Sequence, residues 1–288
     1  MKILILGSSG MLGSYLFKNF KDMGHDVYGV SRSINNSIPQ DYFFKIDFTK
    51  ASYKNDLTHI KIDPDFIINV SGLTSLKSCS DDPDLANFLN ARINEDIIDT
   101  FSSSRLIYLS TDSVFDGSKG NYLETDKKSP INNYAKSKSL GEDLVLDKHP
   151  DSIVLRTNIY GRRLSGIGPS LVDWALEMFK NDTNINGYSD YFFNPLHLGQ
   201  VAQALNILML NTTNERLFHI GCDEQISKFD FLEILRTNCS TSKSIISNVC
   251  NEIPEDGIPR PKNTILNYNK FRNLFGVNFT LDNGIKKI

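Results

Sequence analysis

Lys2-Ile3-Leu4-Ile5-Leu6-Gly7-Ser8-Ser9-Gly10-Met11-Leu12-Gly13 carries an apolar run straight into a glycine turn. Residues 2–6 are strand-length and contain two β-branched isoleucines, the pattern of a buried strand. Tyr15, Leu16, Phe17 and Phe20 then recur at helical spacing. Strand, glycine turn and helix in that order let backbone N–H groups approach a phosphate, and the helix N-terminus adds partial positive charge. The spacing is Gly-x-x-Gly-x-x-Gly, where the commoner dinucleotide fingerprint is Gly-x-Gly-x-x-Gly. The alternative is a tight turn with no ligand. The strand-to-helix context favours nucleotide binding, with Gly7, Ser9, Gly10, Met11, Leu12 and Gly13 as candidate contacts.

Outward from this segment, strand-like and helix-like stretches alternate through the first half. Strands are expected at 26–30, 43–47, 66–70, 106–110 and 152–156, with helices at 12–23, 84–103 and 132–147. Alternation of this kind argues for an α/β fold with a Rossmann-type doubly wound parallel sheet. After Tyr160 the pattern becomes irregular, with helices near 169–180, 198–210 and 227–238 and a strand at 218–220. A dinucleotide-binding domain over 1–160 and a smaller substrate lobe over 161–288 are expected. Their boundary should be interleaved, because elements after 195 can pack back on the first domain.

Three positions carry the chemistry. Leu106-Ile107-Tyr108-Leu109-Ser110-Thr111-Asp112 is an apolar run ending in hydroxyls. In an open parallel sheet, ligands bind beyond the carboxyl ends of the strands, so Thr111 should face the crevice of the glycine turn. The bland alternative has Ser110 and Thr111 only capping the next turn. Tyr134 and Lys138 lie four apart in a helical stretch and therefore share a face. A free phenol has a pKa of about 10, and a neighbouring ammonium is expected to lower it. A tyrosine tuned in this way can pass a proton to or from a bound carbonyl or alcohol.

The second strand ends in Val30-Ser31-Arg32 without a nearby acid. An acid there would bond the ribose 2′-hydroxyl, whereas a guanidinium suits a 2′-phosphate. Ser31 and Arg32 therefore favour NADPH, with NADH remaining open.

These segments together resemble the extended short-chain dehydrogenase/reductases. Leu109-Ser110-Thr111-Asp112-Ser113-Val114-Phe115-Asp116-Gly117 looks like the Ser-Thr-Asp-Tyr-Val-Phe-Asp-Gly segment of dTDP-4-dehydrorhamnose reductases. Pro130 to Lys138 with Leu140-Gly141-Glu142, Leu155-Arg156-Thr157 with Tyr160-Gly161, and Arg260-Pro261-Lys262-Asn263-Thr264 with Leu266 are similar to further blocks of that family. The likeness implies reduction of the 4-keto group of a nucleotide-linked hexose. Thr111, Tyr134 and Lys138 would be catalytic, with Lys138 also on the nicotinamide ribose. It implies that Asp47 bonds the adenine amino group, and that Asn69, Ser71 and Gly72 lie against the cofactor. Thr74, Ser113, Asn158, Asn194 and Arg260 become substrate candidates, and Arg156 should border the crevice. Arg260 either pairs with the substrate diphosphate or forms a surface salt bridge. The chain departs from the family at Ser113, Asn158 and Ser71-Gly72-Leu73-Thr74, which bears on the substrate more than on the reaction.

Two other readings remain. An epimerase or 4,6-dehydratase shares the Tyr/Lys pair, but a dehydratase needs Asp-Glu after the hydroxyl residue, and here Asp112-Ser113 follows Thr111. The regulatory subunit of methionine adenosyltransferase resembles the same reductases and acts by binding a partner.

Bulk composition narrows the field. The 288 residues are 40% hydrophobic and 23% charged, with formal net charge −3. That balance is ordinary for a globular protein and leaves no basic footprint for nucleic acid or anionic membrane. Apolar runs are too short to span a bilayer, and no signal peptide is expected. Cys79, Cys222, Cys239 and Cys250 are scattered, and no histidines pair at ligand spacing. Reduced thiols, a cytoplasmic setting and no metal are expected. A homodimer is left open.

Overall fold

A computed structural model describes residues 1–33, 38–164, 168–250 and 256–288. Its centre is a seven-stranded parallel sheet. The first six strands are β1 (Lys2–Leu6), β2 (Asp26–Ser31), β3 (Phe43–Lys45), β4 (Phe66–Asn69), β5 (Arg105–Thr111) and β6 (Ile153–Thr157). A seventh strand, Leu217–His219, lies beside β6, and the order continues β5, β4, β1, β2, β3. The chain thus reverses direction across the sheet between β1 and β4, which opens a crevice at their carboxyl ends.

β1 explains why its sequence is continuously apolar. Ile3 and Ile5 enter one core with Leu16, Phe17 and Phe20, whereas Leu4 and Leu6 enter another with Val30, Ile67 and Ile97. Alternate side chains of a strand point to opposite faces, and a parallel sheet covered on both sides requires both sets to be apolar.

Helix Met11–Asp22 follows the glycine turn and ends before Gly24, whose φ of +82° suits glycine. Helix Asn133–Lys148 starts where the Asn132 side chain accepts a hydrogen bond from the Ala135 amide at 2.9 Å. The expected single helix over 84–103 is instead Pro83–Asn87, a π-turn at Phe88–Arg92, and Ile93–Thr100. Apolar spacing alone does not reveal such an insertion, because the surrounding turns keep their buried face. The third strand is also shorter than the expected 43–47.

Beyond β6, most of the strands are short and pair two by two. Ile185–Tyr188 pairs with Ile246–Val249, and Phe192–Phe193 with Ile226–Ser227. The seventh strand, and helix Leu198–Leu210 against helix Met11–Asp22, return to the first half of the molecule. No helix of the described residues is long and apolar enough to cross a membrane.

Candidate active site

The carboxyl ends of β1, β4, β5 and β6 open on one cavity of about 710 Å³. Ser9, Gly10, Met11, Leu12, Gly13 and Arg32 form one side of it. Ser71, Gly72 and Thr74 form another, and Thr111, Ser113, Tyr134, Lys138 and Asn158 lie beyond. Gly7 and Gly13 leave no room for a side chain: a Cβ on Gly13 would lie 2.1 Å from the Gly7 carbonyl oxygen, and one on Gly7 would lie 2.8 Å from the Ser71 Cα. Gly10 begins the helix with no side-chain cap, and the first turn contains no acid. A helix start left uncapped at a cavity wall is suited to a phosphate, so the residues present fit a dinucleotide.

Other expected cofactor residues stand behind the wall. Gly7 shapes the turn, with φ +86°. The Ser31 hydroxyl donates to the Ser33 carbonyl at 2.8 Å. Asp47 accepts from the Thr49 amide and hydroxyl, which hold its carboxyl below the usual range, with Arg32 contributing a smaller pull. Buried Asn69 donates to Asn94 at 2.7 Å and accepts from the Ser71 hydroxyl at 2.6 Å. Asn69 thus braces Ser71 from behind the wall.

Deeper in the cavity, the Thr111 hydroxyl donates to Asp112 at 3.0 Å and lies near enough to the Tyr134 phenol to pull its pKa down. Lys138 is buried. Its Nζ donates to the Leu109 carbonyl at 2.6 Å and sits 3.9 Å from the Tyr108 ring centroid. The expected lowering of the Tyr134 pKa is reversed. Burial raises it to about 12, with Asp112 and Cys79 adding to the rise and Thr111 opposing it. Burial also lowers Lys138 to about 7, against the opposing charge of Glu142. Desolvation sets the direction of both shifts, and Lys138 is not among the groups that move Tyr134, its ammonium being engaged with a carbonyl and a ring face.

Glu142 lies one further turn along the same helix and is fully buried. It accepts from Ser110 at 2.5 Å and from Arg156 at 2.8 and 2.7 Å, with Lys128 at 3.3 Å. Arg156 also donates to His219 at 3.1 Å. Burial, and then Arg156, push His219 down to about 3. The neutral ring therefore accepts from Arg156 through Nε2 and donates to the Tyr122 carbonyl through Nδ1. Arg156 does not border the crevice as expected, because it is consumed by this network.

Two substrate candidates also take structural places. The Asn194 amide is buried, accepts from the Leu266 amide at 3.0 Å and donates to the Leu266 carbonyl at 2.9 Å. Arg260 forms a bidentate pair with Asp256 at 2.8 and 2.7 Å. Neither is among the residues lining the cavity.

Sequence reasoning missed several lining residues. Buried Asp112 accepts from Thr111, from Ser113 at 3.2 Å, from Asn158 at 2.9 Å and from Thr264 at 2.5 Å, tying the sheet end to the C-terminal segment. Asn90 projects from the π-turn. It grips both the amide and the carbonyl of Leu73 (2.7 and 2.9 Å) and donates to Ser137 at 2.8 Å. This fixes the Ser71–Thr74 loop against the helix of Tyr134. Nothing in the sequence near Asn90 signals that role. Arg163 also lines the cavity, and its only sequence signal is the doubled arginine after Tyr160-Gly161.

A parallel sheet with a phosphate-suited glycine turn and a Thr, Tyr and Lys set in one cavity defines a dinucleotide-dependent oxidoreductase of the short-chain type. The family model described as the RmlD substrate binding domain matches residues 1–287, and the chain belongs to that family. A dTDP-4-dehydrorhamnose reductase of Aggregatibacter actinomycetemcomitans is 29% identical over 96% of this chain and 94% of its own length. Subunit beta of mouse methionine adenosyltransferase 2 is 26% identical over 99% of this chain and 86% of its own. Among solved structures, a dTDP-4-dehydrorhamnose reductase from Bacillus anthracis in complex with NADP superposes with a TM-score of 0.84. It covers 99% of this chain and 96% of that one at 22% identity.

Proposed function

We propose that the protein uses NADPH to reduce the 4-keto group of a nucleotide-linked 6-deoxyhexose, in the manner of dTDP-4-dehydrorhamnose reductases. The observation that carries this reading is that Thr111, Tyr134 and Lys138 share one cavity with the glycine turn. Arg32 on the same wall, with no acid after β2, favours the 2′-phosphate form of the cofactor.

Bound NADPH supplies the hydride. The protein supplies the proton and the polarity. Tyr134, held protonated by burial, donates to the oxygen on which charge develops. The Thr111 hydroxyl can turn from Asp112 to the same oxygen and stabilise it. Lys138 places an ammonium at the cavity wall, where a ribose hydroxyl would accept from it. Asp112 keeps Thr111, Ser113 and Asn158 in one arrangement.

Lys138 sets the pH dependence. Its ammonium is present below its pKa of about 7 and lost above it. Reductive turnover is therefore expected to fall as pH rises through that value. Glu142 opposes the lowering, so Glu142→Gln should move the fall to lower pH. A pH–rate profile that stays flat from pH 6 to 9, from about one unit below the lysine value to about two above it, would count against this role.

The test of the reaction is NADPH oxidation with a panel of dTDP-, GDP- and UDP-linked 4-keto-6-deoxy sugars, with the product epimer assigned by NMR. Stoichiometric oxidation with at least one sugar is expected. Tight NADPH binding without oxidation across the panel would favour a regulatory role like that of the methionine adenosyltransferase subunit. NAD(H) retained through purification would favour an epimerase. Reduced thiols and a cytoplasmic setting belong to the same proposal.

A further inference from the structure

Among the described residues, four charged side chains line the cavity: Arg32, Asp112, Lys138 and Arg163. Asp112 is satisfied by four hydrogen bonds. Lys138 is satisfied by the Leu109 carbonyl and the Tyr108 ring. Arg32 is exposed at the rim. Arg163 differs from all three, because its Nε is buried and has no hydrogen-bond partner among the described residues.

Its neighbour sharpens the contrast. Arg162 is exposed and lies 3.6 Å from Asp173, the nearby carboxylate. Arg163 offers Asp173 only its backbone amide, at 2.9 Å, and turns its side chain to the cavity. A desolvated guanidinium nitrogen without an acceptor is costly. An anion at this wall of the cavity would relieve that cost once the guanidinium turned to offer it charge-assisted bonds.

Position decides which anion. Arg163 stands with Thr157, Asn158 and Ile159 at the end of β6, while the glycine turn follows β1. Two strands, β5 and β4, lie between β6 and β1. At the usual strand spacing β6 and β1 are roughly 14 Å apart, and Arg163 follows β6. Arg163 therefore serves a different phosphate group from the one the glycine turn is built for. Tyr134 and Thr111 stand between the two, where the sugar carbonyl would be reduced.

We propose that Arg163 anchors the diphosphate of the sugar nucleotide. The proposal rests on the reading of the substrate as nucleotide-linked, and its test avoids turnover so that the two can fail separately.

The experiment measures binding of dTDP, GDP and UDP to the protein saturated with NADP⁺, by calorimetry, for the wild type, R163Q, R163K and R162Q. Loss of charge-assisted bonds to phosphate should weaken the preferred diphosphate by roughly 10- to 100-fold in R163Q. R163K should fall between R163Q and wild type, which separates lost charge from misfolding. R162Q should bind like wild type, and NADP⁺ affinity should be the same in all four. The corresponding nucleoside without phosphate should not distinguish R163Q from wild type. Unchanged diphosphate binding in R163Q, a loss directed at NADP⁺ instead, or a wild type that binds none of the three diphosphates would each overturn the assignment.

Discussion

Tyr134→Phe is expected to lower reductive turnover by about 10²–10⁴, the usual worth of a positioned proton donor, with NADPH affinity nearly unchanged. The substitution removes one oxygen. It keeps the ring of Tyr134 on helix Asn133–Lys148 and removes only the phenol beside Thr111. The fold has little reason to respond, because the helix start is held by Asn132 and the loop beside it by Asn90. The loss should also be much the same from pH 6 to 8, roughly four to six units below the raised pKa of the phenol. Thermal melting and cofactor titration on the same sample check that only chemistry has changed. Turnover within a few-fold of wild type would remove Tyr134 as the donor.

Arg156→Met should cost about 3–5 kcal/mol of stability, the range for removing one partner of a buried ion pair. Glu142 would keep Ser110 and the more distant Lys128 but lose both of its short guanidinium bonds. His219 would lose the donor facing its Nε2. An exposed pair such as Lys77 with Asp81 provides the control, since a surface pair contributes about 0–1 kcal/mol. Adding Glu142→Leu to Arg156→Met removes the stranded carboxylate and should recover much of the loss. Chemical denaturation of the two single variants and the double variant measures this directly. A single variant as stable as the Lys77→Ala control would show that Arg156 does not carry the network.

The sequence pointed to the site more securely than to its electrostatics. Tyr134 and Lys138 were legible because helical spacing is local, and Thr111 because a strand end is local. The sign of the Tyr134 shift was not. It depends on how deeply the helix sits against β5, because burial is the leading cause of both the Tyr134 and the Lys138 shift. Asn194 illustrates the same limit. Its block resembles a substrate-proximal segment, yet the fold spends its amide on the Leu266 backbone. Arg260 likewise pairs with an aspartate four residues before it.

The chain's local patterns determined the sheet, the glycine turn and the Thr111, Tyr134 and Lys138 set that shares its cavity. Apolar periodicity, turn residues and residue type at strand ends act over a few positions, so one sequence suffices to read them. Tertiary structure alone decided which polar side chains are already satisfied. Glu142 and Arg156 are 14 residues apart, and Asp112 and Thr264 are 152 apart, yet both pairs are hydrogen-bonded. Adjacent Arg162 and Arg163 read alike in sequence, but one is exposed beside Asp173 and the other faces the cavity. Burial and pairing are properties of three-dimensional neighbourhoods, and they are what separate a binding residue from a structural one.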